Sequence, residues 1–143
     1  MAETLQVEIV IPERKLVSET TSAILIPGKD GYFTVLPGHA PLITELAVGE
    51  IAYRSAGELR RLAVAWGFAE VLPDRVVIIA ETAEHAADID VEKARREKSV
   101  AEEKLRAAGS DKEAYDHASA QLLYAENLIE VHEGSGSIAN LVP

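Results

Sequence analysis

The sequence predicts a β-sandwich or flattened barrel followed by two antiparallel helices, and two observations lead to this fold class. Up to residue 80, short apolar segments recur about every ten residues between glycines and prolines, which is typical of an all-β domain. From there the composition turns to Glu, Ala, Lys and Arg, with a helical period. We therefore expect a sandwich domain over residues 1–87, a helical hairpin over residues 88–133 and a flexible Gly/Ser-rich tail over residues 134–143.

The strands of the first domain are predicted from alternating or fully apolar segments. Residues 5–11 alternate apolar and polar side chains and end at Pro12, as a half-buried strand does. Glycines, prolines and polar turn residues separate the later segments, so that each of them is short. The remaining predicted strands are residues 23–26, 32–35, 42–46, 50–54, 59–65, 68–72 and 75–80.

The two helices are predicted from their caps and from a regular seam, which is the line of residues along each helix that faces the other helix. Asp88 or Asp90 caps the first helix, Gly109 ends it, and the capping box that begins at Ser110 starts the second. Because alanine removes little apolar area from water, a seam rich in alanine lets the hairpin leave its docking site at low cost. Seam residues recur in steps of three and four: Val91, Ala94, Lys98, Ala101, Leu105 and Ala108, then Tyr115, Ala118, Leu122, Ala125 and Ile129.

Composition and charge exclude several classes of protein. The formal net charge of −10 repels nucleic acid and anionic lipid, and no basic face compensates for it, so we expect no nucleic-acid partner. The chain has no cysteine, which excludes disulfides and thiolate chemistry. No apolar run is long enough to span a bilayer, and the acidic start does not resemble a signal peptide. We expect a soluble protein of the cytosol.

Residues 35–42 predict a stiff loop that presents a fixed shape to another molecule. Pro37 and Pro41 each fix a backbone torsion and remove an N–H, so the loop cannot continue a strand or a helix. Gly38 provides a position for a positive φ. Apolar residues on both sides indicate that the ends of the loop are anchored in the core and that its tip is exposed.

Residues able to carry out catalysis or bind a metal are few. The sequence has no nucleophile–base pair, phosphate-binding glycine loop or zinc-ligand spacing. His39 has no nearby Ser, Cys or Asp partner, so we interpret it as a packed or interface residue. Trp66 and Phe68 are interpreted as residues of the core and its edge. Four residues fall at helical spacing and offer metal ligands on one helix face, or else form the solvated acidic start of a helix: Glu81, Glu84, His85 and Asp88.

The residues by themselves therefore favour an interaction protein over an enzyme. The alternative is a small metal- or ligand-binding sandwich enzyme that uses His39 or the group formed by Glu84, His85 and Asp88.

Five motifs, in order along residues 3–133, resemble the epsilon subunit of F-type ATP synthases. The first is a Pro-Glu-Arg turn after the first strand. A Pro-Gly-Lys-Asp-Gly turn comes next, ahead of the Leu-Pro-Gly-His-Ala-Pro-Leu loop. Gly-Phe-Ala-Glu-Val and the junction between the two domains complete the set. These motifs are residues 12–14, 27–31, 36–42 and 67–71, with Ala83-Glu84 and Ile89-Asp90 at the junction.

The resemblance implies a ten-stranded sandwich and a two-helix hairpin in a non-catalytic subunit without a cofactor. It implies a place in the rotating central stalk, peripheral to the cytoplasmic side of the cell membrane. There the subunit binds the gamma subunit and the c-ring and couples proton-driven rotation to ATP synthesis. In many members the hairpin makes transient contact with the alpha and beta subunits and restrains ATP hydrolysis. The partner-binding residues implied are Lys29, Asp30, Gly31, Tyr32, Leu36, Pro37, Gly38, His39, Ala40, Pro41 and Leu42.

The resemblance also implies a nucleotide site in some members, and here the chain departs from the family. Its residues at the junction are Glu84, Ile89, Asp90, Lys93 and Ala94. Lys93 stands where those members have an arginine, and it lacks the planar guanidinium fork. No basic residue other than histidine follows Lys112, and the second helix is acidic, which disfavours contact with an acidic segment of the beta subunit. We therefore predict weak ATP binding and weak inhibition, with any restraint coming from the basic residues of the first helix. Thr34 also replaces a glycine that is common in the family.

Overall fold

A computed structural model describes residues 3–134 and 142–143 of the chain, as a β domain followed by two helices. The β domain contains a single sheet of eight strands. A short 3-10 helix over Ala86–Asp88 connects it to the helical hairpin. The strands are β1 (Leu5–Ile11), β2 (Arg14–Thr21), β3 (Ile24–Gly28), β4 (Gly31–Val35), β5 (Leu42–Glu45), β6 (Gly49–Ser55), β7 (Glu58–Leu72) and β8 (Arg75–His85), and the helices are α1 (Val91–Ala107) and α2 (Lys112–Glu133).

The sheet folds over into a sandwich around one main apolar core. Its strand order is β2-β1-β8-β7-β6-β3-β4, with β5 paired to β7. β1 and β8 are parallel, and the other pairs are antiparallel. β2, at one end of this order, is joined to β6 by side-chain hydrogen bonds, because the Tyr53 hydroxyl donates to Glu19 at 3.0 Å and the Thr21 hydroxyl donates to the Arg54 carbonyl at 2.6 Å. Buried side chains from β1, β2, β3, β4, β6, β7 and β8 fill the space between the layers.

The strand count of ten is wrong, because the sheet has eight strands. β7 and β8 are long and continuous. β7 pairs with β6 through residues 58–64 and with β5 through residues 68–71. Trp66 and Gly67 bend it between these two halves, with φ of 55° and 150°. Pairing with β8 continues on both sides of the bend, from Ala65 with Thr82 to Gly67 with Ala80, so each long strand counts once.

The apolar patterns in the sequence did not predict strand β2. This strand is largely polar and lies at an edge of the sheet, where only Val17 and Thr21 are buried. An edge strand with so few buried side chains carries little of the apolar signal from which strands are predicted.

The helical hairpin has the predicted order and, in part, the predicted caps. The Asp90 carboxylate accepts a hydrogen bond from the Lys93 backbone N–H at 3.1 Å, which confirms one of the two proposed caps. The second helix is capped by Asp111, which accepts from the Ala114 backbone N–H at 3.1 Å, and the prediction that its capping box begins at Ser110 is wrong by one residue. Four of the five alanines of the seam are buried as predicted, namely Ala94, Ala101, Ala118 and Ala125, whereas Ala108 at the end of α1 is only partly buried.

The predicted flexible tail falls mostly on residues 135–141, which lie outside the described residues. Val142 is described and is buried against Ala23, Leu25 and Ala52 on the surface of the sandwich. Among the described residues, no helix is long and apolar enough to cross a membrane.

Candidate functional site

The loop between β4 and β5 is held in a tight turn. The His39 backbone N–H donates to the Leu36 carbonyl at 3.1 Å, and Gly38 has a φ of 88°. Proline followed by a residue of positive φ at the two central positions is typical of a type II turn. The Gly38 N–H donates to the Pro73 carbonyl at 2.7 Å and so attaches the loop to the turn between β7 and β8. These two backbone hydrogen bonds, together with the prolines, explain why the loop is stiff.

His39 takes part in this local structure. Its Nδ1 atom lies 2.7 Å from the carbonyl oxygen of Ala40. The side chains of Leu36 and Leu42, at the two ends of the loop, are 51% and 40% exposed. The loop thus presents apolar surface to solvent on a fixed backbone.

The turn at Lys29 lies at the other end of β5 from this loop. The Lys29 backbone N–H donates to the Glu45 carbonyl at 2.9 Å, and the Lys29 ammonium lies 3.7 Å from the Glu45 carboxylate. Tyr32, after the turn, accepts a hydrogen bond on its hydroxyl from the Glu50 backbone N–H at 3.0 Å. Burial raises the pKa of Tyr32. The predicted partner-binding residues therefore fall into two groups, one at each end of β5.

An exposed apolar face adjoins the loop, and the sequence did not predict it. Ile43, Phe68 and Ile79 are 70%, 54% and 58% exposed. Phe68 is paired with Ile79, so their side chains lie on the same face of the sheet. Ile43 is paired with Glu70, which is two residues beyond Phe68 and therefore on that same face. All three apolar side chains thus lie on the outer side of the sheet. We call these three residues the outer apolar face. The interpretation of Phe68 as an edge of the core is wrong for this reason.

A signal for this face exists in the sequence. β8 begins Arg-Val-Val-Ile-Ile, so it is apolar on both of its sides. A strand that is apolar on both sides is typical of a sheet that is covered on both faces. No other element covers Ile79 within the described structure, where it is more than half exposed.

The five residues predicted for nucleotide binding lie together at the junction. They line one cavity of about 280 Å³ between the sandwich and the two helices. The cavity wall also carries the carboxylates of Asp88 and Glu97, and the Lys93 ammonium lies 3.9 Å from Glu97. Four acidic residues thus line this space, namely Glu84, Asp88, Asp90 and Glu97. One ammonium among four carboxylates makes an unfavourable site for a polyphosphate.

Both alternatives for Glu81, Glu84, His85 and Asp88, a metal-binding helix face and the acidic start of the first helix, are wrong. Glu81, Glu84 and His85 belong to β8, in which successive side chains alternate between faces, so Glu84 lies on the opposite side of the strand from Glu81 and His85. Among the described residues, no group of three or more His, Cys, Asp or Glu side chains is arranged to hold a metal ion. The helical period that suggested this group begins only at Val91.

The hairpin lies against the sandwich through a mixed apolar and polar contact. Leu128 and Val131 of α2 are buried with Ala63 of β7 and with Ile89 and Ala94 at the start of the hairpin. This apolar cluster is separate from the core of the sandwich.

Polar and aromatic contacts surround the cluster. The Trp66 and Tyr124 rings lie 5.7 Å apart, and the Tyr124 hydroxyl donates to Glu84 at 3.0 Å. Burial, together with the nearby Glu84 carboxylate, raises the pKa of Tyr124 well above that of a free tyrosine. The interpretation of Trp66 as a core residue is therefore wrong, since its ring is only partly buried and packs against Tyr124 of the hairpin.

Comparison with protein families decides the identity of both domains. Residues 4–86 match the family model described as the ATP synthase delta/epsilon chain, beta-sandwich domain, and residues 87–133 match the long alpha-helix domain of the same chain. The chain belongs to the ATP synthase epsilon chain family.

Curated epsilon chains of bacteria agree with this assignment. The ATP synthase epsilon chain of Koribacter versatilis is 52% identical over 111 residues, which are 78% of this chain and 78% of that protein. The epsilon chain of Syntrophobacter fumaroxidans is 43% identical over 133 residues, which are 93% of this chain and 98% of that protein. The predicted family is therefore confirmed, as is the prediction of a non-catalytic subunit of ATP synthase.

Solved structures show the same fold at low sequence identity. A chain of the Euglena gracilis mitochondrial ATP synthase, solved as OSCP, F1 and c-ring, superposes with a TM-score of 0.79 at 22% identity, covering 96% of this epsilon chain and 84% of that chain. A chain of the Tetrahymena thermophila mitochondrial ATP synthase central stalk and c-ring gives a TM-score of 0.60 at 10% identity, covering 93% and 96%.

Proposed function

We propose that this epsilon chain binds the gamma subunit and the c-ring in the central stalk and turns with them, on the cytoplasmic side of the cell membrane. The observation that carries this proposal is the outer apolar face, formed by Ile43, Phe68 and Ile79, next to a hydrogen-bonded loop. Contiguous exposed apolar side chains on a folded domain are typical of a protein–protein interface. Burial of such side chains against a partner provides the affinity, and the stiff loop limits the entropy lost on binding.

The two groups of predicted partner-binding residues fit two partners. Leu36, Leu42 and the outer apolar face present apolar surface, which suits a packed contact with gamma. The turn at Lys29 and Asp30, at the far end of β5, is charged and exposed and suits a polar contact with the c-ring. A subunit that binds both can transmit rotation from one to the other.

Co-purification with gamma tests the interface. We expect Phe68→Glu to abolish co-purification of the full chain with gamma, because it places a charge at the centre of an apolar contact. Leu123→Glu is the matched control, since Leu123 of α2 is equally exposed, at 54%. Retention of gamma by Phe68→Glu, and also by a chain in which residues 37–41 are replaced by Gly and Ser, would reject the assignment.

We also propose that any restraint of ATP hydrolysis by the hairpin is weak and comes from α1. The basic residues of α1 are exposed or partly exposed, whereas α2 beyond Lys112 carries acidic residues and no Lys or Arg. An acidic segment of a catalytic subunit would therefore be attracted to α1 and repelled by α2. The basic residues of α1 in question are Arg95, Arg96, Lys98, Lys104 and Arg106.

Weak ATP binding is the remaining part of the proposal. The carboxylates around the junction cavity oppose a triphosphate, and among the described residues that line it Lys93 is the one lysine or arginine. We expect calorimetric titration of the full chain with ATP to give little or no heat of binding. Lys93→Arg provides the comparison, because it restores the guanidinium, and micromolar affinity in the unaltered chain would contradict the expectation.

A further inference from the structure

Arg61 of β7 joins the sandwich to the last turn of α2. Its guanidinium donates from Nε to Glu50 Oε1 at 2.9 Å and from Nη2 to Glu50 Oε2 at 3.2 Å. The same Nη2 donates to the Val131 carbonyl at 2.8 Å. The side chains of Arg61 and Glu50 are only 18% and 7% exposed, so this ion pair is shielded from solvent.

The Val131 carbonyl is a suitable acceptor for a cation. It lies in the last turn of α2, where a helix has no further N–H groups of its own to pair with its carbonyls. These carbonyls form the negative end of the helix dipole, which a guanidinium stabilises. The helix ends immediately afterwards at Gly134, in a left-handed conformation, with the Arg61 guanidinium beside it.

We propose that Arg61 and Glu50 form a latch that holds the hairpin against the sandwich, and that Tyr32 connects this latch to the turn at Lys29. The two carboxylate oxygens of Glu50 hold the Arg61 guanidinium in one orientation. In this orientation an Nη2 hydrogen points to the Val131 carbonyl at the end of α2. When the hairpin leaves the sandwich, Arg61 loses the Val131 carbonyl as an acceptor, whereas its ion pair with Glu50 stays within the sandwich. The apolar cluster and the latch are therefore separate contributions to docking.

The connection to Tyr32 runs through the peptide of Gly49 and Glu50. On one side, the Asn127 side-chain amide of α2 donates to the Gly49 carbonyl at 3.0 Å. On the other side, the Glu50 backbone N–H donates to the Tyr32 hydroxyl at 3.0 Å. A Cβ on Gly49 would lie 2.5 Å from that hydroxyl, so the tyrosine packs directly on the peptide. A partner that moves Tyr32 thus displaces the segment to which α2 is attached, and this half of the inference rests on the proposed function of the turn.

Amide hydrogen exchange on the full chain tests the latch without any partner. In Arg61→Met, which keeps an aliphatic stem, we expect the amides of residues 124–133 to exchange at least about tenfold faster, because a hydrogen bond to a charged group is lost. Amides of β1 and β8 should keep their protection. Trp66 is the one tryptophan of the chain and lies on Tyr124, so its emission should shift to the red as the hairpin leaves.

Arg60→Met is the matched control. Arg60 is the next residue of β7 towards its start, and its guanidinium pairs with Glu58 at 2.9 Å and Glu19 at 3.5 Å, both within the sandwich. We expect this variant to leave the protection of α2 unchanged. If Arg61→Met lowers the protection of β1 and β8 as well, Arg61→Lys is measured instead, since it keeps the charge but loses the fork.

Two results would overturn the inference. Unchanged protection of α2 in the folded Arg61 variant would reject the latch. Unchanged protection of α2 in Tyr32→Phe would reject the connection to the turn while the latch stands. Both measurements use the free chain, so a failure of gamma binding would reject the proposed function and leave these results unaffected.

Discussion

Single residues at the bend of β7 decide how the sandwich is built. Trp66 has a φ of 55°, which is unusual for a residue with a side chain, and Gly67 follows with a φ of 150°. A Cβ on Gly67 would lie 1.9 Å from the Ile79 carbonyl oxygen, so the two long strands approach each other here as only glycine allows. The bend orients Trp66 towards α2 and Phe68 towards solvent.

Gly67→Ala should therefore destabilise the sandwich strongly. The added methyl group meets backbone on β8, which cannot rotate away, and we expect the free energy of unfolding to fall by at least about 3 kcal/mol. Gly57→Ala is the comparison, because nothing lies within 4 Å of its Cβ and only the positive φ of 79° opposes it. There a loss of about 1–2 kcal/mol is expected. Equal midpoints for the two variants in urea denaturation would contradict the steric argument.

Tyr124 makes hairpin docking sensitive to alkali. Its folded-state pKa is raised by burial and by Glu84, whereas in the unfolded chain it ionises near 10. Its contribution to stability is fully present below the unfolded pKa and is lost as pH rises through the folded pKa. We expect the free energy of unfolding to fall more steeply above about pH 10 in the unaltered chain than in Tyr124→Phe. Tyr53, whose pKa is also raised, is present in both proteins, so the difference isolates Tyr124, and parallel curves would refute the effect.

At the scale of elements, the hairpin and the sandwich differ in how they are stabilised. The sandwich buries large side chains, among them Leu5, Ile9, Ile24 and Tyr53. The helices meet through Ala94, Ala101, Ala118 and Ala125, which are 1% exposed. Each alanine contributes little apolar area, so the pairing of α1 with α2 depends on close approach of the two backbones.

Ala101→Leu should disturb this pairing. The larger side chain does not fit between closely packed helices, and we expect a cost of about 1–3 kcal/mol to the hairpin. Circular dichroism at the helix band and exchange of α1 and α2 amides provide the measurement. Ala107→Leu adds the same side chain at an exposed position of α1 and should have little effect. If both variants keep equal helicity and protection, close packing along the seam is not what stabilises the hairpin.

At the scale of the whole molecule, the sandwich and the hairpin are two bodies with separate apolar clusters. The core of the sandwich contains no residue of α1 or α2. The outer apolar face and the loop also belong wholly to the sandwich, on β5, β7, β8 and the β4–β5 connection. Removal of the hairpin should thus leave assembly intact.

A chain that stops after Ala87 tests this separation in the reassembled complex. We expect it to bind gamma as the full chain does, because every residue of the proposed interface remains. ATP hydrolysis should change little, since an acidic α2 makes a poor contact with an acidic partner segment. A several-fold rise in hydrolysis on truncation would show that the hairpin restrains the enzyme strongly. Loss of gamma binding would show that the hairpin takes part in assembly.

The sequence by itself determined the two kinds of architecture, the stiff loop at residues 35–42 and the alanine seam. These features rest on local rules, namely apolar period, caps and the fixed torsions of proline and glycine. The five junction residues came from the family resemblance, and they line one cavity because Ile89, Asp90, Lys93 and Ala94 follow one another around the start of α1, with Glu84 of β8 beside them.

The tertiary structure alone decided which distant residues meet. Strand pairing places Ile43, Phe68 and Ile79 on one outer face, and no period in the sequence specifies that register. The latch joins Arg61 to a carbonyl 70 residues away, and Tyr32 reaches the hairpin through Glu50. Such contacts depend on how one element is docked on another, and the packing of many side chains from distant parts of the chain sets that docking. Local preferences along the chain do not specify which distant side chains pack together.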